Sequence, residues 1–289
     1  MVAIIDRRRI LEIPIPEMPL GRNVHFDSRS GLYPFVPREL REIAAVLHQR
    51  HIGPLDQAKM GSCTGNALVG AVATSPNFEA LSAGYPPLDE ALAVKAYCLA
   101  VVDGQNVPCS NDPGSDGIDI CKAGQKLGLI GGYTHCIDVT TMQQALMERP
   151  VLIGINWYSS FDHPDSSGFV SIASGAYIRG GHEVEVLGMD PATGFLAENS
   201  WGPGWGYHGT FQFSFDTMAR LLAEQGDCMV PLPDAVTPTP SPPAPEPAAL
   251  PRELDLAATL NPWVAQTRTR PDLVILKSAI LRWKAKVGV

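Results

Sequence analysis

The chain has 289 residues, of which 45% are hydrophobic, and it carries 22 Lys and Arg against 30 Asp and Glu. This composition is typical of a globular protein and excludes collagen-like or wholly disordered chains. The net charge of -8 argues against a chain that binds nucleic acid along its whole length. No apolar run reaches the roughly 18 residues that a membrane helix needs, and the first residues do not form a secretory signal pattern.

Apolar residues recur at helical spacing through the first half of the chain. This spacing predicts helices over residues 37–50, 61–73, 88–102, 118–129 and 141–147. Short β-rich runs separated by Gly, Pro and Asp follow, at residues 151–157, 176–178, 183–188, 194–199 and 210–215. Helices that precede strands in this way predict an α+β chain with two lobes.

The C-terminal part has a different composition. Residues 231–251 hold nine of the 26 Pro, which predicts an extended linker between a domain ending at 230 and a tail at 252–289. Residues 1–230 carry 15 Lys and Arg against 25 Asp and Glu, whereas the tail carries seven against three. The tail predicts an amphipathic helix with an apolar seam of Leu273, Leu276, Ile280, Trp283 and Val287. It would pack on its own domain, dock on a protein partner or a second copy, or lie on an anionic membrane surface.

Six cysteines are present and none falls in a C-x-x-C pair, so a zinc ribbon is not expected. They are Cys63, Cys98, Cys109, Cys121, Cys136 and Cys228. Without a signal peptide the first expectation is six reduced thiols, and disulfides among the five other than Cys63 are the alternative.

Cys63 lies where the turn Met60-Gly-Ser enters a predicted helix. Unpaired backbone N–H groups and the helix dipole favour a thiolate there, and the thiolate is the nucleophilic form of cysteine. Gln57, six residues upstream, could donate its amide to a developing oxyanion beside the Cys63 N–H. The alternative is a small cysteine buried at a helix start without a chemical role.

His182 lies in a predicted strand, and Asn199 ends another strand 17 residues later. The Asn199 amide oxygen could accept a hydrogen bond from the imidazole, as the third group of a nucleophile–base–orienter set does. Trp201 could then exclude water from that bond. The alternatives are a structural histidine in the core and a Gly/Trp turn used only for packing.

Together these segments resemble the papain-like cysteine peptidase family. Gln57, Cys63 and His182 appear in the family's order and are followed by the Asn-Ser-Trp-Gly-x-x-Trp-Gly pattern at residues 199–206. The resemblance spans about residues 27–229. It implies a papain-like α+β fold, in which a helical lobe carries the nucleophile and faces an antiparallel β-barrel-like lobe that carries His182 and Asn199. It also implies that the stretch around Gly117 contacts a peptide substrate, and it implies no metal or other cofactor.

The resemblance implies an acyl-transfer mechanism for an endopeptidase. The Cys63 thiolate would attack a peptide carbonyl while His182, as imidazolium, holds the ion pair and then protonates the leaving amine. Gln57 and the Cys63 N–H would stabilise the oxyanion. Water activated by His182 would release the acyl-enzyme.

The chain also departs from the family pattern. Met60 replaces an upstream cysteine, Thr64 replaces the Trp after the nucleophile, and Glu183 replaces the usual small residue after the His, which alters the electrostatics of the cleft. Residues 1–24 are the segment left to act as a short propeptide. These features resemble the bacterial and phage branch of the family and favour a cytoplasmic or virion-associated protein.

Two other functions are compatible with the sequence. One is a cell-wall peptidase or amidase of the wider Cys–His class, which the Asn-Ser-Trp-Gly segment disfavours. The other is a catalytically idle papain-like scaffold or assembly protein that docks through its C-terminal helix. Retention of all four polar site residues argues against it.

Overall fold

The protein is described by a computed structural model that covers residues 7–8, 15, 18–25, 33–81 and 85–233. The predicted tail helix and all of the linker after residue 233 lie outside these residues. So does most of the predicted propeptide, apart from residues 7–8, 15 and 18–24.

Five α-helices are present in the described residues: α1 Cys63–Val72, α2 Glu90–Gln105, α3 Gly117–Lys126, α4 Val139–Leu146 and α5 Phe215–Ala223. The last four begin after Asp89, Asp116, Asp138 and Ser214, and each of these side chains accepts a backbone N–H of the first turn. Such caps satisfy N–H groups that have no partner within the helix. The first four helices confirm the predicted helices after residue 60, and α5 was not predicted.

The helical lobe is built around α1, in which every residue is buried. Helices α2 and α3 pack on one another, and α2 packs closely on α1. A Cβ at Gly65 would lie 2.1 Å from the Ala93 carbonyl oxygen, so a glycine is required where these two backbones approach. Helix α1 also packs against strand β6 (Ile178–Asp190) of the sheet, and a Cβ at Gly70 would lie 2.7 Å from Glu185 Oε2.

The second lobe is an open antiparallel sheet in which β4–β9–β5–β6–β7–β8 are neighbours in that order and β3 pairs with β6. The strands are β3 Val46–Leu47, β4 Gly132–His135, β5 Val151–Tyr158, β6 Ile178–Asp190, β7 Gly194–Glu198, β8 Thr210–Phe213 and β9 Asp227–Leu232. Separately, β1 Arg7–Arg8 pairs with β2 Val24–His25. The α+β prediction is confirmed, and the sheet is not closed into a barrel among these strands.

The predicted helix over residues 37–50 is wrong, because this segment is irregular apart from β3. The Arg41 backbone N–H donates to the Gln144 side chain at 3.0 Å, and the Arg41 carbonyl accepts from the same side chain at 2.8 Å. These tertiary bonds use the backbone groups that a helix would pair internally. Leu40, one of the apolar residues that suggested the helix, is 80% exposed.

Strand boundaries also differ from the sequence prediction. The runs at 176–178 and 183–188 belong largely to one strand, β6, which continues through Gly180 and Gly181. Strand β9 was not predicted, and it extends to Leu232, two residues past the expected domain end at 230. Its Pro231 is tolerated because β5 pairs only with residues 227–229, so at Pro231 the strand has a neighbour on one side alone, that of β4.

The expectation of six reduced thiols is wrong for one pair. Cys98, in the last turns of α2, forms a disulfide with Cys109, eleven residues further on. The other four cysteines are buried and are not in disulfides. Among the described residues no helix has both the length and the apolar character to cross a membrane.

Candidate active site

Cys63 is the first residue of α1 and is completely buried. The turn before it is fixed by Asp112, whose carboxylate accepts the Gly61 N–H at 3.0 Å and the Tyr97 hydroxyl at 2.6 Å. The structure thus places the thiol at a helix N-terminus, as the sequence predicted. The dipole of this helix end favours a thiolate.

His182 lies on β6 opposite Ile155 of β5 and is also fully buried. Its Nε2 is 2.7 Å from Asn199 Oδ1. A carbonyl oxygen only accepts, so Nε2 carries the proton of this bond and Nδ1 is the basic nitrogen of the neutral ring. The Ser200 N–H also donates to Asn199 Oδ1 at 2.7 Å, which fixes the amide orientation.

The indole rings of Trp157 and Trp201 pack against the His182 imidazole. The Trp157 ring meets it edge-on with centroids 4.8 Å apart, and the Trp201 ring lies 5.1 Å away at an interplanar angle of 31°. The Trp157 Nε1–H donates to Asp162, which also pairs with buried Arg179. The predicted role of Trp201 in excluding water fits this arrangement, and Trp157 is a second ring that motif reasoning did not single out.

Gln57 is 2% exposed and is tied to the segment that carries Asn199. Its backbone N–H donates to the Ser200 carbonyl at 2.9 Å, and its side-chain oxygen accepts the Ser200 hydroxyl. The amide nitrogen donates to the Met60 carbonyl at 2.7 Å. This nitrogen has two hydrogens, of which the bond to Met60 uses one.

Burial lowers the pKa of His182 to about 3, with a smaller contribution from the nearby Arg179 charge, although the bond to Asn199 acts in the opposite direction. The imidazole is therefore neutral at neutral pH in this covered state. An imidazolium, and hence the ion pair of the expected mechanism, requires that water or substrate charge reach the ring.

Residues 18–25 cover this site. The Arg22 N–H donates to the carbonyl of Gly181, next to His182, at 2.9 Å. The Trp201 Nε1–H donates to the Pro19 carbonyl at 3.0 Å, and a Cβ at Gly21 would lie 2.0 Å from the Gly61 carbonyl oxygen. The segment thus lies against residues that flank both Cys63 and His182, and sequence reasoning did not place it there.

A buried charged pocket adjoins His182. Arg22 Nη2 is 3.0 Å from Asp227 Oδ1, and Glu183, fully buried, lies beside this pair. Gly117, the predicted substrate contact, borders the same pocket: a Cβ there would lie 3.1 Å from Asp227 Oδ2 and 3.2 Å from Glu183 Oε1. Arg22 and Asp227 belong to none of the sequence motifs, whereas Glu183 stands out in the sequence as a departure from the family pattern.

A second cluster of charged side chains, Arg50, Glu185 and Glu198, includes the residue directly before Asn199 in the chain. Arg50 pairs with Glu185 of β6, and its other nitrogen, Nη2, is 2.8 Å from Glu198 Oε1 of β7. Burial raises the pKa of Glu198 to about 8, with Glu185 adding to the effect and Arg50 opposing it. Because Asn199 directly follows Glu198, this cluster anchors the strand end that presents the imidazole partner.

Comparison with known proteins points to the papain-like fold. The family model described as papain family cysteine protease matches residues 102–229, a range that contains His182 and Asn199 but starts after Cys63. No curated protein matches the chain.

Solved structures show the same fold. Xylellain, a cysteine protease from Xylella fastidiosa, aligns with a TM-score of 0.60 at 17% identity and covers 79% of this chain and 98% of its own. Digestive procathepsin L 3 from Tenebrio molitor aligns with a TM-score of 0.50 at 16% identity and covers 75% of this chain and 76% of its own. At these identities the likeness concerns the fold.

Proposed function

We propose that the chain, which has a papain-like fold and matches the papain family cysteine protease model over residues 102–229, hydrolyses peptide bonds through an acyl-enzyme on Cys63, with His182, Asn199 and Gln57 as its partners. The observation that carries the proposal is the 2.7 Å bond between His182 Nε2 and Asn199 Oδ1. It leaves Nδ1 as the nitrogen that exchanges a proton with a thiol. Among the described residues Nδ1 has no hydrogen-bond partner.

The first half-reaction forms a thioester. Nδ1 of His182 takes the thiol proton, and the Cys63 sulfur attacks the peptide carbonyl. The Gln57 amide and the Cys63 N–H donate to the oxyanion of the tetrahedral intermediate. The imidazolium then gives its proton to the leaving amine as the C–N bond breaks. Water, deprotonated by the same imidazole, hydrolyses the thioester and regenerates the thiol.

Residues 18–24 act as the covering part of a short propeptide in this proposal. Two observations support this role. The segment's backbone binds Gly181 and the Trp201 side chain, and both Cys63 and His182 are fully buried. A substrate reaches the thiol only after this segment moves. Movement also hydrates His182, raises its pKa, and favours the thiolate–imidazolium pair.

An epoxysuccinyl thiol-protease probe tests the nucleophile. The full chain under reducing conditions is expected to take up one probe at Cys63, identified by peptide mass spectrometry, and to cleave an unfolded protein. Cys63→Ala is expected to lose both, whereas Cys136→Ala, which removes a buried thiol elsewhere, keeps both.

Three results would contradict the proposal or redirect it. A Gly21→Ala variant should move the covering segment away, because the new Cβ would lie 2.0 Å from the Gly61 carbonyl oxygen. If both this variant and the wild-type chain fold but show neither labelling nor cleavage, the chain is an idle scaffold. Turnover of peptidoglycan fragments but not of protein would support the cell-wall peptidase. Labelling that persists in Cys63→Ala would assign the reactive thiol to another cysteine.

A further inference from the structure

The Arg22 side chain fills a pocket whose other polar groups are acidic. The side chain is 1% exposed, and its guanidinium donates to Asp227 Oδ1 at 3.0 Å and to the Gln225 carbonyl at 2.8 Å. Glu183, the residue directly after His182, is 1% exposed. The pocket therefore encloses an arginine completely, and the backbone of that arginine binds the carbonyl of Gly181, next to the proposed catalytic histidine.

Glycines make the room for this side chain. A Cβ at Gly154 would lie 2.1 Å from Asp227 Oδ1, 2.3 Å from Arg22 Nε and 2.7 Å from Glu183 Oε2. All three side chains thus converge on one position of β5 that lacks a side chain. A larger residue at Gly154 would occupy the space that the guanidinium now fills.

The acidic groups of the pocket favour a cation. Burial raises the pKa of Glu183 and of Asp227, each pKa is also raised by a neighbouring acidic group, and Arg22 lowers both. Among the described residues neither oxygen of Glu183 accepts a hydrogen bond. If the covering segment leaves, the two carboxyl groups lose the guanidinium that favours their ionised form, and a second guanidinium in the same place would restore this stabilisation.

The backbone of Arg22 shows that a peptide can deliver such a side chain. Its N–H donates to the Gly181 carbonyl at 2.9 Å, and the next N–H, of Asn23, donates to the Ser115 carbonyl at 2.6 Å. Residues 21–23 therefore pair with Ser115 as a short parallel bridge and also bind Gly181, with the arginine side chain in the pocket. This is the mode in which a strand-like peptide binds through backbone bonds and is selected by a side-chain pocket.

We propose that the pocket formed by Glu183, Asp227, Gly117 and Gly154 selects peptide substrates with an arginine near the scissile bond, and that Arg22 of the covering segment occupies it in place of substrate. This inference rests on the proposed peptidase function. A neutral side chain would leave the carboxyl groups unpaired, and an acidic one would be repelled. Glu183, which departs from the family pattern, thereby becomes a determinant of specificity.

The test compares arginine with citrulline, which has the same shape but no charge. A peptide that the full chain cleaves receives one or the other at each position on both sides of the scissile bond in turn. At one position kcat/KM is expected to be higher for arginine by about tenfold or more. Asp227→Asn and Glu183→Gln are expected to reduce that ratio towards one. Asp190→Asn, at the exposed end of the strand that carries Glu183, keeps it.

The outcomes separate the two proposals. Cleavage that depends on Cys63 but shows equal rates for arginine and citrulline at every position would overturn the pocket and leave the peptidase standing. A lysine preference over citrulline would support selection of charge. If Asp227→Asn does not fold, the ratio of kcat/KM for arginine to that for citrulline in the wild-type chain still decides the question. If neither the wild-type chain nor Gly21→Ala cleaves any peptide, the peptidase proposal itself is overturned.

Discussion

At the scale of single residues, the sequence indicated that His182 meets Asn199 but not how the neighbouring side chains are oriented. Cys63, His182, Asn199 and Gln57 were predicted from motif order and spacing. The Ser200 hydroxyl that binds the Gln57 oxygen, and so turns its amide nitrogen away from Ser200, became visible only in three dimensions. Such a bond joins residues 143 positions apart, and local pattern carries no information about it.

This orientation gives a prediction for Gln57→Glu. The variant keeps the size of the side chain but replaces the amide donor with a carboxylate that repels the oxyanion. We expect kcat to fall by about a hundredfold or more, the usual cost of one lost oxyanion donor. Steady-state kinetics on a short peptide should show this fall with a smaller change in KM.

Gln125→Glu is the control for Gln57. It makes the same chemical change at an exposed residue of α3, whose amide binds the Gly131 carbonyl away from the site, and it should retain wild-type kinetics. An unchanged kcat in Gln57→Glu would remove Gln57 from the proposed oxyanion site.

At the scale of elements, prediction succeeded where an element is held by its own residues. Helix α1 has a strong local pattern and was predicted, whereas β6 was predicted only as two shorter runs. Residues 37–50 have a helical pattern too, but tertiary bonds from the Gln144 side chain take up the backbone of Arg41. The covering segment 18–25 has no pattern of its own, since its conformation is set by the backbone groups of Gly181 and Ser115.

The close approach of Gly21 to Gly61 predicts a way to uncover the site. An alanine Cβ at Gly21 would lie 2.0 Å from the Gly61 carbonyl oxygen, so the segment must move away from the turn before Cys63. We expect Gly21→Ala to raise the rate of Cys63 labelling by about tenfold or more. This factor corresponds to about 1.4 kcal/mol of lost closure free energy.

Gly53→Ala controls for the loss of a glycine, because no atom lies within 4 Å of a Cβ at that position. Time-resolved mass spectrometry of probe uptake compares the two variants with the wild-type chain. Equal labelling rates in all three proteins would show that residues 18–25 do not limit access to the thiol.

At the scale of the whole molecule, the composition does not show how many acidic side chains are buried. A net charge of -8 is unremarkable for 289 residues, yet Glu183, Glu185, Glu198 and Asp227 are all buried or nearly so, and burial raises the pKa of each. Alternation along β6 predicted only that Glu183 and Glu185 share one face. The carboxyl groups that pair with Arg22 or Arg50 are far from these arginines in sequence, so the pairing depends on the tertiary fold and cannot be predicted from local pattern.

These carboxyl groups give the folded protein a pH dependence whose sign can be stated. Glu198 keeps its proton in the folded state up to about pH 8, whereas the unfolded chain loses it near 4.5. Between these values the unfolded state binds fewer protons, so the free energy of unfolding falls as pH rises. His182 acts in the opposite direction, but only between its folded pKa of about 3 and its ordinary value of 6.5.

The window from pH 6.5 to 8 therefore isolates the carboxyl effect. Across this window the protonation of Glu198 should lower the free energy of unfolding by up to about 2 kcal/mol, because each pH unit contributes about 1.4 kcal/mol. Urea denaturation at several pH values should show this decline in the wild-type chain and a flatter profile in Glu198→Gln. Glu79→Gln is the control, because a hydrogen bond from Ser75 lowers the pKa of that exposed carboxyl, which is ionised throughout the window. Parallel profiles for Glu198→Gln and the wild type would mean that the Arg50 cluster holds Glu198 as a carboxylate at neutral pH.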